Sequence, residues 1–250
     1  YTDRAELFGV DALSVDVFIS PERLVTEYVE RLIHNPGTLQ VLDFADGKVR
    51  LVAVRARRGG PLVGHKLREL PEHLPKMEVR VVAIYRDERS VAPDGDTVIA
   101  EGDEVFFLAA RDDIQRATSE MRRGDSAVRR VVIAGGGNIG YRLAKSLEHS
   151  NQVKVIERDA RRARRISELL ERAIVLHGDA ADEELLVEEN IDSADVFAAM
   201  TNSEEANILS AMLAKRLGAH KVMALINKPS YTDLVESGSI DIAVPPQTIT

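Results

Sequence analysis

Residues 131–140 read VVIAGGGNIG, and this segment is the strongest indication of the fold of the second half of the chain. Four apolar residues, typical of a buried strand, lead into glycines at Gly135, Gly137 and Gly140, the G-x-G-x-x-G spacing. Between a strand and a helix, that spacing predicts a phosphate-binding turn. Gly135 allows the tight turn, Gly137 lets the backbone approach a pyrophosphate, and Gly140 lets helix and strand pack closely. The start of the helix offers free N–H groups to the phosphates.

A carboxylate follows at the end of the next predicted strand, where Glu157 lies about 20 residues beyond Gly137. In such folds this position accepts hydrogen bonds from the adenosine ribose and repels a 2′-phosphate. The sequence therefore predicts NAD or NADH as the ligand, in preference to the phosphorylated forms. Arg158 is placed to reach a phosphate of ATP or ADP, so the choice between dinucleotide and adenine nucleotide stays open. Four later arginines (161, 162, 164 and 165) are interpreted as a solvated helix face.

From residue 129 onward, short apolar segments alternate with amphipathic ones. We predict strands over 131–134, 153–156, 173–176, 196–200, 222–226 and 240–244, and helices over 138–149, from 161, and over 204–217. Continuous apolar strands separated by helices favour a parallel sheet buried on both faces. The predicted fold class is α/β, a Rossmann-like doubly wound sheet.

The middle of the chain has a different pattern, that of a small β-rich α+β domain with one or two helices. Strands are predicted over 40–44, 48–56, 79–85, 97–100 and 104–109, with a hairpin at Asp46-Gly47. Residues 121–128 are the expected linker to the second half. Before this domain, Ser20 is a good N-cap and Pro21 a good first residue for an amphipathic helix. That helix could pair with another surface or pack on its own domain.

The two ends of the chain resemble each other. Three short matches occur in the same order: residues 1–3 with 231–233, residues 15–17 with 240–242, and Pro21 with Pro246. Self-similarity of this kind indicates a repeated architecture. We therefore expect residues 1–37 to be the tail and crossover helix of a first Rossmann unit, 38–123 the β-rich domain, and 129–250 a second Rossmann domain. Because the chain starts at Tyr1 and holds no glycine loop for the first unit, we expect a segment of a longer protein.

Composition excludes several classes of function. A net charge of −8 and 4% aromatic residues argue against nucleic acid as the main partner. The chain has no cysteine, which excludes disulfides, thiolate metal sites and a cysteine nucleophile. No apolar run approaches the roughly 18 residues that span a bilayer. We expect a cytoplasmic protein that something else must hold at a membrane, if it acts there.

Further polar residues follow predicted strands, at the edge where such folds bind ligands. Asp179 comes after the third strand of the second half, and Thr201-Asn202 after the fourth. Helix capping is the competing interpretation, by Asp179 or Asp182 for one helix and by Ser203 for the next. Their shared edge beside the glycine loop favours a ligand site.

Signals for catalysis are weak. Tyr141 and Lys145 have the Tyr-x-x-x-Lys spacing of short-chain dehydrogenases, but they follow the glycine loop directly, where that chemistry does not take place. The six histidines are interpreted as scattered, without metal-ligand spacing. We therefore predict that the chain is not an enzyme and holds no metal.

The motifs resemble those of the RCK family, the regulators of potassium conductance found in Trk-type uptake systems. The resemblance covers nearly the whole chain and lies in residues 131–140, 178–180, 200–208 and 213–219, with 61–64 and 102–105 in the middle domain. It implies tandem RCK units, NAD(H) and ATP or ADP as ligands, and a homo-oligomeric ring under a membrane potassium channel or transporter.

The resemblance also implies roles for individual residues and a location. It assigns Gly135, Gly137, Asn138, Ile139 and Gly140 to the phosphates and Glu157 to the ribose, with Asp179, Thr201 and Asn202 lining the pocket; Arg158 is added as a weaker phosphate contact. The expected location is the cytoplasmic face of the cell membrane, and the expected function is nucleotide-dependent gating. An NAD-dependent oxidoreductase and a regulator of potassium efflux remain the alternatives.

Overall fold

A parallel sheet and an antiparallel sheet organise the computed structural model, which describes residues 20–35, 37–87, 89–122, 127–228, 231 and 238–246. The parallel sheet contains β6 (Arg130–Ala134), β7 (Gln152–Glu157), β8 (Ile174–His177), β9 (Val196–Ala199), β10 (Lys221–Leu225) and β11 (Ile242–Val244). Their order is β11-β10-β9-β6-β7-β8, and neighbouring strands are parallel. The connections contain α4 (Asn138–Leu147), α5 (Ala160–Leu169), α6 (Glu183–Glu188) and α7 (Glu204–Arg216). The predicted Rossmann-like fold is confirmed.

Both faces of this sheet are buried, as the continuous apolar strands predict. In β6, Val131 and Ile133 belong to one apolar cluster, while Val132 and Ala134 belong to a second cluster on the opposite face. Successive side chains of a strand point to opposite faces, so a strand covered on both sides must be apolar throughout. The strand order reverses between β6 and β9, and the carboxyl ends of these two strands therefore flank a crevice.

The antiparallel sheet is built from β1 (Thr38–Phe44), β2 (Val49–Arg55), β3 (Arg80–Arg86), β4 (Arg89–Val91) and β5 (Glu104–Ala110), in the order β1-β2-β5-β3-β4. Two short helices accompany it, α2 (Leu70–His73) and α3 (Ile114–Ser119). The predicted hairpin is confirmed: β1 and β2 pair antiparallel, and Asp46 and Gly47 both have positive φ angles, 55° and 79°.

Two details of the β-rich region differ from prediction. Residues 97–100 do not form a strand of the sheet; Val98 makes one isolated bridge, to Lys66. The backbone groups of Thr97 and Ile99 bond to residues 64–67 instead, and Ala100 N–H donates to the Asp103 carboxylate, so these groups find their partners outside the sheet. The predicted linker also begins too early. Met121 is fully buried, and its carbonyl accepts a hydrogen bond from the N–H of Arg57.

Helix α1 (Pro21–His34) packs against both β1 and α4. Its Val25, Val29 and Leu32 are buried in the apolar cluster that also contains residues of both sheets. The apolar face is therefore covered within this chain. At the start of α1, the Ser20 side chain accepts no capping hydrogen bond from the described helix. Its hydroxyl donates instead to the Glu22 carboxylate at 3.3 Å. Residues 1–19, 229–230 and 232–237 lie outside the described residues, and with them most of the repeat matches.

A buried carboxylate at the end of α4 holds the segment that leads into β8. Glu148 is 2% exposed. Its Oε2 accepts hydrogen bonds from the N–H groups of Glu171, Arg172 and Ala173 at 2.7, 2.9 and 3.3 Å. Burial raises the pKa of this carboxyl, but these bonds and the ammonium of Lys145 at 2.9 Å outweigh burial and lower the pKa to about 2.

We predict that Glu148→Gln destabilises the fold in a pH-dependent way. A pKa lowered from 4.5 to about 2 contributes stability above pH 4.5 that is lost as the pH falls toward 2. Urea denaturation should show a loss of about 2 kcal/mol near pH 7, shrinking near pH 3. Glu168→Gln, at an exposed site on α5, is the matched control. An equal loss at both pH values would contradict this account.

Candidate functional site

The glycine loop between β6 and α4 has the geometry that its spacing predicts. Gly135 has a φ of +101°, a conformation that side chains disfavour, and a Cβ there would lie 2.9 Å from Thr201 Cγ2. A Cβ on Gly140 would lie 1.9 Å from the carbonyl oxygen of Gly135, so only glycine lets α4 sit this close. Gly137 differs from both. Apart from its two chain neighbours and the backbone of α4, no atom of the described residues lies within 4 Å of the position that its Cβ would take.

The open space at Gly137 lies at the positive end of α4. Gly137 is the N-cap residue of this helix, and Asn138 and Ile139 form its first turn. The first N–H groups of an α-helix have no acceptor within the helix, and the helix dipole adds partial positive charge there. The loop therefore combines exposed donors, positive potential and free volume, which suits a bound phosphate.

Glu157 lies at the end of β7 and faces this loop. It is 5% exposed; its Oε2 accepts a hydrogen bond from Gly136 N–H at 2.7 Å and its Oε1 accepts one from Asp159 N–H at 2.8 Å. Arg162 Nη1 lies 3.4 Å from Oε2. The carboxylate thus braces the glycine loop besides lining the crevice, a role that sequence spacing did not reveal. Gly136 was also missed; a Cβ there would lie 2.4 Å from Ile166 Cδ1.

Two of the arginines after β7 lie beside the crevice. Arg158 is exposed and lines the pocket. Arg162 also lines it, while its side chain remains 49% exposed to solvent, so it belongs to the solvated face of α5 as well as to the border of the pocket. Its backbone N–H bonds to Asp159, the N-cap of α5, and this contact fixes the start of the helix next to Glu157. Arg164, by contrast, points to Glu168 on the exposed face, at 3.5 Å.

Asp179, Thr201 and Asn202 lie on the same edge and line the same pocket. Capping explains their neighbours: Asp182 accepts a hydrogen bond from Glu184 N–H, and Ser203 accepts one from Ala206 N–H. Asp179 is not the helix cap. Its Oδ1 accepts a bond from Ala181 N–H at 2.9 Å, and its side chain remains exposed at the pocket.

A buried amide, unnoticed in the sequence, fixes the loop after β9. Asn207 is 1% exposed. Its Oδ1 accepts bonds from the N–H and hydroxyl of Thr201 at 2.8 and 2.7 Å, and its Nδ2 donates to the carbonyls of Thr201 and Leu225 at 3.0 and 2.9 Å. The amide therefore ties the pocket loop to β10.

Together these elements enclose a pocket of about 280 Å³. This volume is near the lower end of small-molecule sites, roughly 300–1,000 Å³. The predicted residues that line it are Gly135, Gly137, Glu157, Arg158, Asp179, Thr201 and Asn202. Asn138 and Ile139 line an adjoining recess together with Glu22 of α1, while Gly140 is buried behind the loop.

The Tyr141–Lys145 pair lies outside this pocket. Lys145 Nζ is 2.9 Å from Glu148 Oε1 and 3.0 Å from Glu171 Oε1, so the ammonium is engaged in ion pairs. Both Tyr141 and Lys145 line a separate groove on α4. The Tyr-x-x-x-Lys spacing therefore places both side chains on α4 outside the pocket.

Two of the six histidines are not scattered. His65 and His73 lie together with Glu69, and one ligand atom of each falls within 4.8 Å of the others. The spacing of four residues between successive members was visible in the sequence and was missed.

In the part of the chain described, no helix has the length and apolar character to cross a membrane.

Comparison with known proteins gives two domain matches. The TrkA-C domain family matches residues 45–122, and the TrkA-N domain family matches residues 131–246. Similar curated proteins include the Trk system potassium uptake protein TrkA of Halomonas elongata, 55% identical over 250 residues, and that of Vibrio alginolyticus, 55% identical over 248 residues. These alignments cover 100% and 99% of this chain but 55% and 54% of the relatives, so the chain spans about half of their length. Neither relative is named as an enzyme, in agreement with prediction.

Solved structures of low identity share the fold. The GsuK RCK domain has a TM-score of 0.62 at 18% identity, covering 99% of this chain and 52% of that one. The GsuK channel bound to NAD has a TM-score of 0.60 at 18% identity, covering 92% of this chain and 40% of that one. At this identity the likeness concerns the fold alone.

We predict that Asn207→Ala costs about 3 kcal/mol of stability, because it leaves buried backbone groups of Thr201 and Leu225 without partners. Urea denaturation measures the effect. Asn202→Ala, on the exposed side of the same loop, should change stability by less than about 0.5 kcal/mol. Similar losses in the two variants would show that the amide network does not hold the loop.

Proposed function

The chain belongs to the family of proteins built from TrkA-C and TrkA-N domains, and on that premise we propose that it senses a nucleotide for a potassium uptake system. The observation that carries the proposal is the free volume at Gly137, in front of the positive end of α4 and beside the carboxylate of Glu157. A fold-related protein, the GsuK channel, has been solved bound to NAD. The proposed ligand is NAD or NADH, with ATP or ADP as the alternative.

The residues present fit such a ligand. The N–H groups at Gly137, Asn138 and Ile139 would hold the phosphates, since their helix end is positive and unobstructed. Glu157 would accept hydrogen bonds from the ribose hydroxyls while keeping its bond to Gly136. In enzymes, bound NAD(H) supplies hydride transfer. In this chain we propose that the nucleotide is only recognised and not transformed.

The remaining pocket residues would complete recognition. Arg158 and Arg162 add positive charge beside Glu157, where a second phosphate group would be stabilised. Asp179, after β8, lies on the same side of the glycine loop as Glu157, and Thr201 and Asn202, after β9, lie on the other side. Because Asn207 already holds Thr201, this second side of the pocket is preorganised.

Sensing requires that the ligand bind one arrangement of the protein better than another. Helix α4 carries the phosphate-binding end, and α1 packs along it. Glu22 of α1 lines the recess next to Asn138 and Ile139, so a diphosphate at the loop would act on α1 through charge and contact. We infer that ligand binding shifts α1 relative to α4.

For the complete protein we propose a tandem arrangement. In it, residues 1–37 end a first Rossmann unit, 38–123 form the β-rich domain, and 129–250 form the second unit. The proposed assembly is a homo-oligomeric ring on the cytoplasmic face of the membrane, bound to a Trk-type potassium transporter subunit. The names of the curated relatives support the potassium assignment.

Gly137→Asp should abolish nucleotide binding without unfolding the chain. The φ of Gly137 is −68°, which any residue adopts, and its Cβ direction is open, so the fold tolerates the change. The new carboxylate would occupy the space of the diphosphate and repel its negative charge. Calorimetry with NADH, NAD, ATP, ADP and NADPH should give affinities at least about a hundredfold weaker than wild type.

Ser150→Asp adds the same charge beyond the other end of α4 and is the matched control. It should bind like wild type. Undetectable heats for every nucleotide with the wild-type chain would defeat the proposal, as would equal binding by the Gly137→Asp chain.

In the complete protein, we expect co-purification with a potassium uptake subunit from detergent-solubilised membranes. Rubidium uptake by vesicles containing both should then respond to the bound nucleotide, because the ligand shifts a conformational equilibrium. The Gly137→Asp variant should keep the partner and lose the response. Recovery of a potassium efflux protein instead would favour the alternative, a regulator of potassium efflux. Recovery of no transporter would contradict both the uptake and the efflux assignments.

A further inference from the structure

Three side chains with metal-binding chemistry converge in the β-rich region, far along the chain from the glycine loop. His65, Glu69 and His73 are spaced four residues apart across a 3-10 turn (Leu67–Glu69) and α2. One ligand atom from each lies within 4.8 Å of the others. His65 Nδ1 is 2.7 Å from Glu69 Oε2, and the ring centroids of His65 and His73 are 5.3 Å apart. All three remain partly accessible to solvent.

The backbone under these side chains is fixed. The carbonyl of His65 accepts a hydrogen bond from Ile99 N–H at 3.1 Å. Leu70 and Leu74 are buried and anchor the turn that carries Glu69 and His73. The cluster is therefore preorganised by packing, as a binding site requires.

A fourth residue orients one of the rings. His73 Nδ1 lies 2.9 Å from Glu120 Oε2, next to the end of α3. This contact leaves the other nitrogen of the ring available. A carboxylate bonded to the far side of an imidazole is the usual outer partner of a metal-ligating histidine, because it fixes the tautomer and raises ligand basicity.

Local charges favour a cation at this position. Lys66 and Arg68 lie near the cluster in sequence, but both are paired with Asp96. Glu69 and Glu120 place two carboxylates within hydrogen-bonding distance of the imidazoles of His65 and His73.

We propose that His65, Glu69 and His73 bind a divalent transition-metal ion of the zinc class. Two imidazoles and one carboxylate suit Zn²⁺, whereas Mg²⁺ and Ca²⁺ prefer oxygen ligands alone. Tetrahedral zinc with bonds near 2.1 Å places its ligands roughly 3.4 Å apart, so side-chain rotations would close the present spacing. Water would complete the tetrahedron as the fourth ligand. The site is separate from the nucleotide pocket and independent of the proposed function.

Bound metal would tie residues 65–73 to the end of α3 through Glu120. Metal binding that occurs only in the folded state raises stability. The proposal thus predicts both zinc affinity and a zinc-dependent rise in melting temperature.

The test uses the 250-residue chain, freed of histidine tags and treated with chelator. Calorimetry with zinc chloride should show one site per chain with micromolar or tighter affinity. His65→Gln and His73→Gln should each weaken binding at least about tenfold and remove the thermal shift. Glu69→Gln provides a third variant should a histidine change impair folding, which circular dichroism without metal would reveal.

His34→Gln, an exposed histidine outside the cluster, is the matched control and should bind zinc like wild type. Excess magnesium chloride should not compete. The proposal is overturned if the wild-type chain binds no zinc, if the cluster variants bind as tightly as wild type, or if the control loses affinity equally. Nucleotide titrations of the same variants are expected to be unchanged, which separates this site from the pocket.

Discussion

The close contact between Gly140 and the carbonyl of Gly135 fixes the position of α4 on the parallel sheet. A single methyl group at position 140 would collide with that carbonyl, so only glycine sets α4 directly on the turn after β6. Once α4 is seated, its positive end faces the crevice, and its other end places Glu148 under the segment before β8. The flank of the same helix receives α1. One helix thus positions the pocket, the outer strand and the connection to the β-rich half.

Much of the fold was predictable because its signals are local. The apolar run and glycine spacing of residues 131–140 specify strand, turn and helix within a few residues, and chain chirality then limits how the strands can be ordered. The Asp46-Gly47 hairpin and the Ser203 cap follow from turn and capping chemistry in the same way. The pocket residues Glu157 and Asp179 were found because strand ends meet at one edge of a parallel sheet.

What could not be predicted depends on partners distant in sequence. Residues 97–100 have a strand-like pattern, yet the backbone groups of Thr97 and Ile99 bond to residues 64–67, thirty or more positions earlier. Asn207 looks like any polar residue of a helix until β10 is seen beside it. The direction of Arg162 is decided by where Glu157 points, and the pairing of His73 with Glu120 by how α3 returns to the sheet. Such contacts are properties of the assembled fold.

The burial of α1 between β1 and α4 has a consequence for cooperativity. Apolar residues of both sheets belong to one continuous cluster through this helix, and Lys221 Nζ of β10 also reaches the carbonyl of Thr38 in β1 at 2.9 Å. Boundaries drawn along the sequence therefore do not mark independent melting units, since exposing either sheet would uncover the shared core. The two halves should lose their structure in a single concerted transition. A substitution that destabilises one half should therefore lower the stability of the other.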